Sequence, residues 1–129
     1  MSSTLYQEII LDHYHSPRHY GPLKNATHES DATNPLCGDQ LHMQARIVNN
    51  TIRDISFTGS GCAISIAAAS LLLEKLQGKK VSTVAALKPQ AVLDLVGMEL
   101  TPNRVKCALV SLETLQQLVA KKNAQRRGR

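Results

Sequence analysis

Three cysteines and one aspartate are the residues of this chain best suited to chemistry: Cys37, Cys62, Cys107 and Asp39. The first pair stands in Asn34-Pro35-Leu36-Cys37-Gly38-Asp39. Proline fixes φ and glycine accepts positive φ, so Pro35 and Gly38 mark a turn. Residues two apart in extended chain point to one side, so Cys37 and Asp39 can converge on one object. A thiol and a carboxylate so spaced make half a metal site, although taken alone a turn around a small buried cysteine is the better reading. A strand running unbroken from Cys37 would aim both residues inward with Leu41. A bulge or turn at Gly38 is therefore expected to redirect them.

Cys62 lies in Gly59-Ser60-Gly61-Cys62-Ala63-Ile64-Ser65, where a strand ends, glycines turn the chain and a helix starts. Free N–H groups and the dipole at a helix N-terminus favour thiolate over thiol. Cys107 belongs to a last helix opened by Thr101-Pro102. Its expected apolar stripe is Val105, Leu109, Leu112, Gln116 and Val119. Cys107 falls nearly opposite Val105, flanked by Arg104 and Lys106, so an accessible thiolate is expected there. Three thiolates and a carboxylate complete a four-ligand set, suited to tetrahedral zinc or to an iron–sulfur cluster with one oxygen ligand. The sequence does not itself bring the sites together in space. The lack of any Cys-x-x-Cys pair argues against a zinc ribbon. No His or Asn is evidently paired with a cysteine as in papain-like enzymes. Histidines 13, 15, 19, 28 and 42 are further candidate ligands. His15 and His19 alone approach helical zinc spacing, and Pro17 between them breaks the helix, so surface or loop positions are expected.

The elements that must position these groups can be read in order. Ser3 is expected to cap a helix from Thr4 to Tyr14, with Leu5, Ile9 and His13 on one face and Ser16-Pro17 as its stop. Residues 18–36 read mostly as loop, with a short strand at Glu29–Thr33. Alternation of Leu41, Met43, Ala45 and Ile47 with polar neighbours predicts a strand over Gln40–Val48. Asn49-Asn50 makes a tight turn, and Ile52–Thr58 returns with Ile55 and Phe57 on the core face. A helix over Cys62–Gln77 ends at Gly78. One or two short helices follow, with Ser82 capping the first, Pro89 opening the second and Gly97 closing it. The last helix runs to about Lys122.

At 129 residues the chain suits one domain with a real core. With no tryptophan and one phenylalanine, aliphatic residues and alanine must fill it. The net charge of +5 is concentrated in Lys121, Lys122, Arg126, Arg127 and Arg129, and the preceding body is neutral. This pattern is expected of a solvated tail, and nucleic-acid binding is not expected without an aromatic-interleaved basic patch. No apolar run is long enough to span a membrane, and the first residues lack a signal core, so a cytoplasmic location is expected. Three cysteines in a reducing compartment are expected as ligands, nucleophiles or free thiols.

His13-Tyr14-His15-Ser16-Pro17-Arg18, NPLCGD, GSGCAIS and Arg104-Val105-Lys106-Cys107-Ala108, in that order, resemble the U-type iron–sulfur scaffold family (NifU N-terminal domain, IscU, SufU) over nearly the whole chain. The resemblance implies an α/β (α+β) domain over 1–122, a small, mostly antiparallel three-stranded sheet with helices packed on one face, and a basic tail at 123–129. It implies iron–sulfur cluster assembly. A PLP-dependent cysteine desulfurase would deliver persulfide sulfur, and a transient [2Fe–2S] cluster or Zn2+ would sit on Cys37, Asp39, Cys62 and Cys107. Apo iron–sulfur proteins would receive the product.

Members of the IscU type carry a histidine before the third cysteine and a Leu-Pro-Pro-Val-Lys chaperone motif. This chain has Lys106 in the first place and Leu100-Thr101-Pro102-Asn103-Arg104 near the second. A histidine ligand and recognition by an Hsp70-type chaperone are thereby put in question. The RVKCA stretch is similar to SufU, yet the insertion usual in SufU between the second and third cysteines is absent. Two functions stay open: a scaffold that holds and hands on a labile cluster, and a zinc-dependent sulfurtransferase. A metal site kept only for stability is the third and weakest reading. For first acceptance of sulfur, Cys37 on its glycine-containing loop has more freedom than Cys107 on a helix.

Overall fold

The computed structural model describes residues 2–35 and 38–121. The expectations resting on Cys37 and on the basic tail at 123–129 lie outside the described residues. Helix α1 (Ser2–His15) is followed by strands β1 (His28–Asn34), β2 (Asp39–Val48) and β3 (Thr51–Ser60). Helices α2 (Ala63–Leu76), α3 (Val81–Ala85), α4 (Pro89–Val96) and α5 (Pro102–Ala120) complete the order. The three strands form one antiparallel sheet in the order β1-β2-β3. Leu41, Met43 and Ala45 on β2, with Ile52, Ile55 and Phe57 on β3, are buried on its inner face. The helices cover that face, as expected.

Asn49 and Asn50 both adopt positive φ and join Val48 to Thr51 by a two-residue turn. That backbone twist matches the twist of the strands it connects. A register shift between Arg46 and Ile47 lets Ile52 and Ile55 face inward although they stand three residues apart. The expected loop before β1 does more than connect. Phe57 donates its N–H to the His19 carbonyl and accepts the Gly21 N–H, so residues 19–21 cover part of the free edge of β3.

Three local expectations are corrected. Helix α1 begins at Ser2, so Ser3 lies inside it rather than ahead of it. Leu5 is exposed, whereas Ile10 and His13 are buried, because the Tyr6 ring seats against Gly97 and rotates the buried side away from Leu5. Helix α3 is entered from Lys80, and no side chain caps it; Ser82 is its second residue. The expected caps at the other helices hold: Gly97 closes α4 in the left-handed conformation, and the Thr101 hydroxyl oxygen accepts the Arg104 N–H.

Helix α5 departs most from its sequence pattern. Of the expected stripe only Leu112 is fully buried. The buried side runs instead through Cys107, Ala108, Val110, Ser111, Thr114, Leu115 and Leu118. The helix lies against β1 and β2 on one side and against α2, α3 and α4 on another, so more than one stripe leaves water. Ser111 and Thr114 tolerate this because their hydroxyls donate to the Ala108 and Val110 carbonyls of the same helix, at 2.9 and 2.6 Å. Hydropathy alone therefore misplaces the buried face.

Two of the candidate histidines are buried, His13 and His28. His13 Nδ1 lies 2.7 Å from Ser70 Oγ on α2, and the same oxygen accepts the Arg18 N–H at 2.8 Å. This junction ties α1 and the chain after it to the central helix. Burial, reinforced at His13 by the Arg18 charge, holds both imidazoles below the usual histidine value. For a base with a lowered native pKa, the unfolded chain binds more protons as the pH falls. Stability should thus be complete above about pH 6.5 and decline below it, until the pH passes the lowered native values. Melting temperatures across this range should show the decline, and His13→Asn combined with His28→Asn should flatten it. An equal slope in the double variant would refute the assignment.

Candidate metal centre

Strand pairing sets the first donor. Asn34 and Asp39 are cross-strand partners at the turn end of the β1–β2 hairpin. Gly38, at φ 71°, turns the chain immediately before β2. Asp39 is the first residue of β2 and faces inward with Leu41, fully buried. The expected redirection at Gly38 is not needed, because the inward side is where the other donors lie.

The second donor arrives from β3. Ser60 pairs with Gln40, which delivers the following residues Gly61 and Cys62 beside Asp39. Cys62 is the N-cap of α2 and is half-buried. Its N–H donates to Asp39 Oδ1 at 2.9 Å, so the carboxylate satisfies one of the free N–H groups at the helix start, where the Cys62 side chain makes no cap bond. The Ser65 hydroxyl donates to the Cys62 carbonyl at 3.0 Å and lies 3.9 Å from Cys62 Sγ.

The third donor, Cys107, was expected on an exposed face and is instead fully buried. The double packing of α5 carries it inward, while its neighbours Arg104 and Lys106 remain exposed. One ligand atom from each of Asp39, Cys62 and Cys107 lies within 4.8 Å of the other two. Ligands about 2.0–2.3 Å from a tetrahedral ion stand roughly 3.5–3.8 Å apart, so a small inward adjustment would close the three on one ion. Asp39 Oδ2 is buried and has no hydrogen-bond partner among the described residues. An ionised carboxylate out of water with an unsatisfied oxygen is costly, and a cation would remove that cost. Two sulfurs and an anionic oxygen fit zinc or iron.

None of the five histidines belongs to this group among the described residues. His42 instead lies between Asp31 Oδ1 at 2.6 Å and Glu29 Oε1 at 3.2 Å, on the outer face of the sheet. The His-Tyr-His-Ser-Pro stretch has a different part. Tyr14, His15 and Pro17, with Tyr20, Gly59–Gly61 and Ile66, line an open groove of about 460 Å³.

Sequence reasoning passed over two residues at the site. Asn34 directs its side-chain amide at Cys107 Sγ, 3.9 Å away; its place opposite Asp39 across the turn was the available signal. Gly61 is a site residue by absence of a side chain. A Cβ there would collide with Asp39 Oδ1 and stand 2.6 Å from Ser65 Oγ. Gly61→Ala should therefore cost about 1–3 kcal/mol in urea unfolding and weaken metal binding by displacing the carboxylate. Wild-type stability with wild-type zinc affinity in that variant would contradict the close approach.

The chain is similar to known proteins over most of its length. The chain is 32% identical over 135 residues to the zinc-dependent sulfurtransferase SufU of Bacillus subtilis, covering 92% of this chain and 91% of that one. It is 30% identical over 133 residues to the iron–sulfur cluster assembly scaffold protein IscU of Thermotoga maritima, covering 91% and 94%. The crystal structure of FiSufU from Fervidobacterium islandicum AW-1, assigned to the SUF system, superposes with a TM-score of 0.74 over 92% of this chain and 99% of that one. At 24% identity that likeness speaks for the fold. The family model for the NifU-like N-terminal domain matches residues 5–128, and the chain belongs to that family.

Proposed function

We propose that this protein is an iron–sulfur cluster assembly scaffold, holding a labile [2Fe–2S] cluster or its precursors on Cys37, Asp39, Cys62 and Cys107 and passing it to apo-proteins. The observation that carries this reading is the buried Asp39 carboxylate, half satisfied and gathered with two cysteine sulfurs. Cys37, two residues before Asp39 in the sequence, would supply the fourth ligand. The thiolates hold the soft iron–sulfur unit, and the harder carboxylate is the corner least matched to it, which suits a cargo that must leave. Sulfur would come from a PLP-dependent cysteine desulfurase. A thiolate of this chain, Cys37 by its loop position, attacks the outer sulfur of the donor's persulfide. That forms a persulfide here and releases the donor cysteine as thiolate.

A second reading, a zinc-dependent sulfurtransferase, is favoured by the RVKCA stretch and by the 32% identity to SufU. The same residues would hold zinc, which fixes the thiolates and lowers their proton affinity. Anaerobic purification with metal and sulfide analysis separates the two. Iron and sulfide in equal amounts support the scaffold. One zinc without sulfide supports the sulfurtransferase. Retention of neither after reconstitution overturns both. No helix among the described residues is long and apolar enough to cross a membrane.

Two further outcomes are expected. Because the ligands come from a hairpin, a helix start and a distant helix, chelation should lower the melting temperature as well as remove the metal. The effect should largely vanish when Cys37, Cys62 and Cys107 are all changed to Ser. Asp39→Asn can still accept the Cys62 N–H but offers no anionic oxygen. It should keep metal-free stability while losing metal affinity and slowing cluster transfer. Asp39→Ala should lose the affinity and also about 1–2 kcal/mol of metal-free stability. Unchanged affinity and transfer in Asp39→Asn would remove Asp39 from the ligand set.

A further inference from the structure

A sulfur that carries negative charge out of water needs a donor, and the ligand group places its two cysteines differently in this respect. Cys62 is half-buried at a helix N-terminus, with Ser65 Oγ 3.9 Å from its sulfur. Cys107 is fully buried in the second turn of α5. Its neighbours Arg104 and Lys106 are exposed. The Asn34 side-chain amide is directed at Cys107 Sγ, at 3.9 Å, long but within reach of an N–H···S bond.

The placement is structural rather than incidental. Asn34 closes β1 as the direct partner of Asp39, and both side chains face inward and are buried. One rung of the hairpin therefore meets both cysteines beyond it: Asp39 accepts the Cys62 N–H, and Asn34 donates toward the Cys107 sulfur. We infer that Asn34 is a positioning residue of the metal centre, holding the Cys107 sulfur by its amide N–H and drawing charge off it when it is a metal ligand. This deepens the proposed function and rests on it. A donor to a ligating sulfur is stronger for anionic sulfur than for a thiol, so the bond gains strength on metal binding. It also lowers the electron donation of the sulfur to the metal, the lever by which hydrogen bonds to sulfur tune iron–sulfur potentials.

The test uses the full-length chain loaded with zinc or cobalt(II). Asn34→Ala removes the donor, and Asn34→Leu removes it while filling the space. Both should weaken zinc binding about tenfold, in the range of lost second-sphere partners. Both should also move the sulfur-to-cobalt charge-transfer band to lower energy, as expected for a more electron-rich sulfur. A purely structural Asn34 would lower the melting temperature and leave the band where it is, and that result overturns the inference. A wild-type chain that takes up neither cobalt nor zinc overturns the metal-centre reading itself, and this inference with it. Wild-type loading with unshifted variants isolates the failure to Asn34.

Discussion

The contact between the Asp39 carboxylate and the Cys62 N–H pins the hairpin end of the sheet to the start of α2. A carboxylate wholly out of water is tolerated when its oxygens are engaged. Here one oxygen caps the helix, and the other is left open inside the protein. The surroundings accommodate that choice. Gly61 has no side chain because the carboxylate occupies the space, and Ser65 braces the Cys62 carbonyl from the first turn of the helix. A carboxylate oxygen of Asp39 lies within 4.8 Å of both sulfurs, and a cation bound there would relieve the half-satisfied carboxylate.

The third ligand depends on how the interior is filled. With almost no aromatic residues, the core is built from aliphatic side chains and from the small residues Ala67, Ala68 and Ala69 of α2. Small residues allow close approach of helices, and α5 is drawn in between the sheet and α2. Cys107 travels with it, and its sulfur arrives at the inner end of the hairpin. The same close packing uses His13 as a joint. Its imidazole and the Arg18 N–H converge on Ser70, in the middle of α2. The sequence stretch around Tyr14 and Pro17 is thereby held along the groove it shares with Gly59–Gly61. Scaffold and site share elements, so packing changes in α2 or α5 would be felt at the ligands.

Much of this was legible in the chain itself. Alternation at Leu41, Met43 and Ala45, the Asn49-Asn50 turn and the proline and glycine punctuation around α4 and α5 are local signals, set by backbone sterics and by side-chain periods of two and 3.6 residues. They located the strands and most helices to within a residue or two. The spacing in NPLCGD and GSGCAIS likewise marked the chemical residues, because turn chemistry and thiols carry their meaning within a few positions. What the local patterns could not decide was direction and depth. The inward aim of Asp39, the burial of Cys107 and His13, and the approach of Asn34 to a sulfur 73 residues away follow from which surfaces meet. A helix packed on two sides buries serines and threonines that a hydropathy stripe assigns to water, since their hydroxyls bond to their own helix. Pairing across a turn couples residues 34 and 39 with no sequence period to announce it. Residue types and spacing along this chain determined the elements and the chemistry available; tertiary packing alone decided which donors converge, because convergence depends on distances between elements that no local interaction sets.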